Sequence, residues 1–188
     1  MRWNPPIELA ADEAALCDRL TTHRRFYRFL RLHRHRLFDD AFQAQLDTMY
    51  ATAPRGTPPV PAAQLAAAVL LQAYGKVSDA DVILRAETDR CWQLVLAGGA
   101  VHAPPFKKTT FVDFRARLIR SGLIDALLAR TAALAKETQA FGYKQVPGLR
   151  VAIDSFPLDG AGKVEDTINL LGRALRRLLF AVAAFAAV

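Results

Sequence analysis

The chain has 188 residues, 52% of them hydrophobic, and carries 25 Lys plus Arg against 18 Asp plus Glu, a formal charge of +7. That hydrophobic share excludes a mostly disordered chain, and the length suffices for one good core or for a helical domain followed by the start of a second. The basic excess makes an anionic partner the default, with nucleic acid first among the classes.

Residues Met1–Pro6 are polar and lead into no apolar h-region, which argues against a secretory signal and for a reducing cytoplasm. Cys17 and Cys91 then read as two buried thiols, with a Cys17–Cys91 disulfide as the alternative. Glu8–Leu20 has the spacing of a short helix with an acidic outer face. From Arg19 to Arg36 the character reverses: seven arginines (Arg19, Arg24, Arg25, Arg28, Arg31, Arg34, Arg36) and three histidines (His23, His33, His35) occur without a carboxylate. Interleaved Phe26, Tyr27, Phe29, Leu30, Leu32 and Leu37 predict a basic amphipathic helix.

Asp39 or Asp40 is placed to cap a following helix that carries Phe42, Leu46, Met49 and Tyr50. Ala53–Pro61, with four prolines and a glycine, reads as a connector. Pro61 opens a helix over Ala62–Tyr74 that is apolar nearly all round and is expected at the centre of the core. Gly75 should stop it, and Ser78, Asp79 and Asp81 should start another running through Trp92 to about Leu96. Helix, tight turn, helix is the order of a helix-turn-helix unit.

Gly98 and Gly99 close that pair, and Thr109 or Thr110 is expected to cap a helix over Phe111, Phe114, Leu118 and Ile119. Gly122 breaks the pattern before a last apolar helix from Leu123 to about Ala140, for about six helices in residues 1–146. At Gly148 the period changes: Leu149–Asp154 is short, β-branched and bounded by Pro147, Gly148 and Pro157, which predicts a strand ending in a carboxylate. A helix after Lys163 follows, and the final apolar run, Leu178–Val188, falls well short of the roughly 20 residues a membrane span needs.

The string Val151-Ala-Ile-Asp-Ser-Phe-Pro-Leu158, with Gly160-Ala-Gly-Lys-Val-Glu-Asp-Thr-Ile-Asn-Leu-Leu-Gly172, resembles the start of the catalytic domain in a group of insertion-sequence DDE transposases. Upstream, Pro58-Pro-Val-Pro-Ala, Leu70-Leu-Gln-Ala-Tyr-Gly-Lys-Val-Ser-Asp-Ala, Trp92-Gln-Leu-Val-Leu, Pro104-Pro-Phe and Phe111-Val-Asp-Phe-Arg-Ala-Arg-Leu resemble their InsH-type N-terminal domain, in the same order. Phe156 departs from the small or hydroxylated residue such a motif would have there.

The resemblance implies a mainly α fold: a helical, HTH-like DNA-binding domain over residues 1–146, then the first strand and helix of an incomplete RNase H-like domain over residues 147–188. It places Asp154 as the first of three carboxylates that hold two Mg²⁺ ions in the complete family enzyme, where hard divalent cations suit phosphodiester strand transfer. The other two acids would come from positions beyond Val188. The expected product is therefore a truncated transposase that binds no metal and cannot cut DNA unaided, with a tail from Arg177 that departs from the family pattern. Its implied partner is double-stranded DNA at the transposon's terminal inverted repeats. The charge pattern puts the contacts on Arg24, Arg25, Arg28, Arg31 and Arg34, and on Lys107, Lys108, Arg115 and Arg117 of a candidate recognition helix, with an ordinary amphipathic helix as the alternative for the second set. The alternative is a helical module that oligomerises with itself or full-length transposase through Ala62–Tyr74 or the apolar tail. His33 and His35, two apart on a helix, are not spaced to share a metal.

Overall fold

The computed structural model describes residues 2–21, 24–50, 60–98, 105–141 and 172. In chain order its helices are α1 (Ala11–Arg19), α2 (Arg25–Leu37), α3 (Asp40–Asp47), α4 (Ala62–Gly75), α5 (Asp79–Thr88), α6 (Arg90–Leu96), α7 (Lys108–Arg120) and α8 (Leu123–Glu137). The protein is mainly α, and no strand occurs among the described residues. The expected strand over residues 149–154, most of the connector and residues 147–188 apart from Gly172 lie outside them.

α4 is the centre because its sequence offers no polar face: eleven residues from Ala62 to Ala73 are buried. Around it pack α3, α5, α6 and α7, while α2 bridges α6 and α8. The enclosure leaves little of α4 exposed. α2 buries Phe26, Tyr27, Phe29, Leu30 and Leu37, and Phe26 stacks on Tyr74 of α4 at 4.6 Å between ring centroids. Trp92 is fully buried, a core residue rather than a base-stacking platform. Cys17 and Cys91 are free, buried thiols.

The ends follow side-chain chemistry. Asp39 caps α3 by accepting from the Phe42 N–H at 2.8 Å. Ser78 caps α5 in a reciprocal box with Asp81. Gly122 turns the chain between α7 and α8 at φ 72°, a conformation that costs glycine little.

Four of the boundaries that differ from the sequence reading have a clear cause. The expected single helix over Ser78–Leu96 is two, because Asp89 adopts extended backbone (φ −91°, ψ 116°) and its carboxylate accepts from the Cys91 N–H at 2.7 Å; an Asp satisfies a helix start better than a helix interior. α4 continues through Gly75, and Lys76 takes the left-handed position at φ 48°. Thr109 and Thr110 lie inside α7, whose cap position is Lys107 without a side-chain cap. α1 begins at Ala11 rather than Glu8 because the Ile7 and Glu8 carbonyls accept from Arg31 instead of from helical N–H groups.

That last contact belongs to a clamp. Arg31 is 1% exposed; it meets the Glu13 carboxylate through Nε at 3.2 Å and Nη2 at 2.6 Å, besides the two carbonyls. Arg34, 3% exposed, donates through Nη1 to the carbonyls of Leu94 and Val95 in the last turn of α6 and through Nη2 to Pro6. These are carbonyls that α6 has no N–H left to satisfy. One helix thus fastens the N-terminal segment, α1 and the end of α6.

Beyond α8 the described Gly172 is helical, and a Cβ built on it would stand 2.6 Å from the Ala73 carbonyl oxygen. Only glycine permits this approach to the end of α4.

Two substitutions test the clamp. Arg34→Met, which strips three carbonyls of their donor, should lower unfolding free energy by about 2–3 kcal/mol in urea titrations. The Arg31 hydrogen bond holds the Glu13 carboxyl below its ordinary 4.5, so its stabilisation is complete at neutral pH and lost as pH falls through the lowered value. The stability gap between the wild type and Glu13→Gln should accordingly be steady near pH 7 and narrow below pH 4.5.

Candidate nucleic-acid interface

α2 sorts its cations by face. Tyr27, Leu30, Arg31, Arg34 and Leu37 recur at helical spacing and form the buried stripe. Arg31 and Arg34, counted with the DNA-contacting residues on charge alone, are therefore committed inside the fold, and the periodicity that placed Tyr27 and Leu30 inward carried that signal. Arg24 and Arg25 are exposed and Arg28 is half-buried. Arg24 holds the left-handed position before α2 (φ 60°) and directs Nη1 toward the Cys91 sulfur at 3.9 Å. Arg25 and Arg28 make no hydrogen bond or ion pair with any described residue, and Arg28 Nε is buried without a partner.

The second basic set lies around α7. Lys107, Lys108, Arg117 and Arg120 are exposed, with Arg117 stacked over the Tyr50 ring at 5.1 Å. Arg115 is different: it turns back to the α4–α5 turn, where Nη2 donates to Asp79 at 3.2 Å, Nη1 to the same carboxylate, and Nη1 also to Gln72 at 3.0 Å. Burial raises the Asp79 pKa, but the hydrogen bonds from Arg115 and Gln72 outweigh it and leave the group below its ordinary value. Arg115 is thus a strut for the turn.

α2 and α8 run antiparallel: Arg130 meets the Leu37 carbonyl and Asp39, Glu137 pairs with Arg36 at 2.6 Å, and Phe141 stacks near Phe26 and Phe29. Two clefts open along this seam. One, of about 510 Å³, contains His35 and the matched groups Arg36, Glu137, Arg130 and Asp39. The other, of about 400 Å³, has Arg25, Arg28, His33, Thr138 and Gln139 on its walls and, among the described residues, no carboxylate. His33 and His35 so face different clefts.

Asp154, the candidate catalytic and metal-holding residue, lies outside the described residues; among those described, no three His, Cys, Asp or Glu side chains gather as a metal site. No helix among them is long and apolar enough to cross a membrane.

A family model described as a transposase domain (DUF772) matches residues 16–117, more than half of the chain. The chain belongs to this transposase-domain family. Every candidate cation from Arg24 to Arg117 falls within the matched span, as do α2 to α6 and most of α7. No curated protein and no solved structure matches.

The division of the cations gives a measurable contrast. Lys107→Gln and Lys108→Gln should leave unfolding free energy within about 0.5 kcal/mol of the wild type. Asp79→Asn, which weakens the charged hydrogen bonds to a half-buried arginine, should cost about 1–3 kcal/mol by the same denaturant titration.

Proposed function

We propose that this transposase-domain chain is a cytoplasmic DNA-binding region that engages double-stranded DNA at transposon terminal repeats. Its contacts are the outward cations Arg24, Arg25 and Arg28 of the α2 face, and Lys107, Lys108 and Arg117 around α7. The observation that carries this reading is the absence of carboxylate partners for these six cations among the described residues. Arg31 and Arg115, by contrast, are matched to Glu13 and Asp79. Unmatched guanidinium and ammonium groups on a folded surface suit phosphate, which they contact by releasing condensed counterions.

The α4–α5 pair has the order of a helix-turn-helix, but α5 opens with Asp79 and Asp81, and its exposed positions Ala80, Leu84 and Thr88 carry no cation. The base-reading role therefore fits α7 better, with α4 and α5 as scaffold. On the sequence resemblance Asp154 is the first metal-holding carboxylate of the enzyme; no step of this binding function runs through it or through Mg²⁺.

Fluorescence anisotropy with a terminal-repeat duplex and a random duplex of equal length, at about 0.15 M salt, tests the proposal. A clear preference for the repeat is expected. The Arg25→Gln/Arg28→Gln variant should bind both duplexes more weakly, and its salt slope should be smaller by about one for each phosphate it no longer neutralises. Equal affinity for both duplexes, or a salt slope unchanged in the variant, would overturn it.

A further inference from the structure

The 400 Å³ cleft between the first half of α2 and the end of α8 has a composition that the binding surface alone does not require. Two arginines and a histidine share its walls with Thr21, Thr138 and Gln139. Cations beside a helix C-terminus commonly serve its exposed carbonyls. Here that work is done otherwise. The Thr138 N–H and hydroxyl both donate to Leu134, the Gln139 N–H to Lys136 and the Ala140 N–H to Ala135. Arg25 and Arg28 are left without an acceptor among the described residues, and Arg28 retains a buried, unpartnered Nε. Glu137, the acid whose charge His33 feels, is held by Arg36 at 2.6 Å.

We propose that this cleft is a site for an anion of the phosphate class, in which Arg25 and Arg28 supply fixed charge and His33 takes up a proton from solvent as the anion enters. The inference rests on reading the outer face of α2 as anion-binding, and adds that binding there is proton-linked. His33 suits the part because burial, then Arg36 and His35, hold its pKa below the ordinary 6.5, with Glu137 pulling the other way. It is therefore mostly neutral at pH 7, and an anion beside it reverses the balance. Among the described residues, the charged groups around it are Arg25, Arg28, His35 and Arg36 of α2 and Glu137 of α8. Those α2 presents to α1 and α6 lie on its opposite face, where Arg31 meets Glu13 and Arg34 meets the α6 carbonyls. A group that gains a proton on binding makes affinity rise as pH falls, by at most about tenfold per pH unit.

The probe is inorganic sulfate, whose charge is constant between pH 5.5 and 7.5, so that any proton uptake belongs to the protein. The His33 ring is followed by NMR on histidine-labelled full chain, with His33→Asn for assignment. Sulfate should raise the His33 midpoint by about half a pH unit or more, and bind more tightly at pH 5.5 than at pH 7.5. In Arg25→Gln/Arg28→Gln the midpoint shift should vanish, and in folded His33→Asn the pH dependence of binding should flatten. An unmoved His33 midpoint in saturating sulfate, or an equal shift in the double variant, overturns the proposal. A duplex arm separates the sources. If DNA raises the midpoint as sulfate does, the cleft holds a backbone phosphate. If sulfate acts and duplex does not, the anion site stands for a small free anion while the DNA-binding reading of this face fails.

Discussion

A buried arginine without a carboxylate of its own holds this helical assembly in register. Arg34 leaves the last turn of α2, runs along the Trp3 ring with its guanidinium carbon 5.8 Å from the ring centroid, and ends on the last carbonyls of α6 and on Pro6. Burial, and then the neighbouring Arg31, push its pKa down to about 10, so it still carries its charge at neutral pH. A charge held this way costs desolvation energy, and what it gives in return is geometry: few arrangements of α2, α6 and the N-terminal segment place three carbonyls around one planar group. Arg31, one turn earlier, repeats the arrangement with Glu13 and the Ile7 and Glu8 carbonyls.

The division of labour on α2 follows. A helix this rich in arginine can be held against a core only if the cations on its inner stripe find acceptors, and α1 and α6 supply them. The remaining cations are turned outward or into the seam with α8, where among the described residues acids are absent or already matched. α7 is divided in the same manner, with Arg115 spent on the α4–α5 turn and its exposed lysines and arginines left over. The cations left over therefore stand on packed helices, which is the placement that the proposed phosphate contacts would need to fix a register on a duplex.

Much of this fold was legible in the residues. The apolar circumference of Ala62–Tyr74 marked the central helix, the Phe and Leu spacing of Arg25–Leu37 marked an amphipathic one, and Asp39, Ser78 and Gly122 stood where a chain starts or turns. What escaped depends on contacts distant in sequence or on competition between neighbours. The split at Asp89 turns on one carboxylate preferring the Cys91 N–H to a place inside a helix. The late start of α1 turns on Arg31 claiming two carbonyls. Charge counting placed Arg31, Arg34 and Arg115 on the surface, although Arg31 and Arg34 share the periodicity of buried Tyr27 and Leu30. The α2–α8 cleft could not be read at all, since the residues on its walls come from opposite ends of the described chain.

Chemical modification of the arginines, read residue by residue by mass spectrometry with and without a duplex, addresses the central claim most directly. Arg31 and Arg34 should resist phenylglyoxal in the folded protein whether or not DNA is present, while Arg24, Arg25 and Arg28 should react in the free protein and become protected by the duplex. Ready modification of Arg34 in the native state, or outer arginines equally reactive with and without DNA, would contradict the division of α2 into a face that holds the fold and a face that meets nucleic acid.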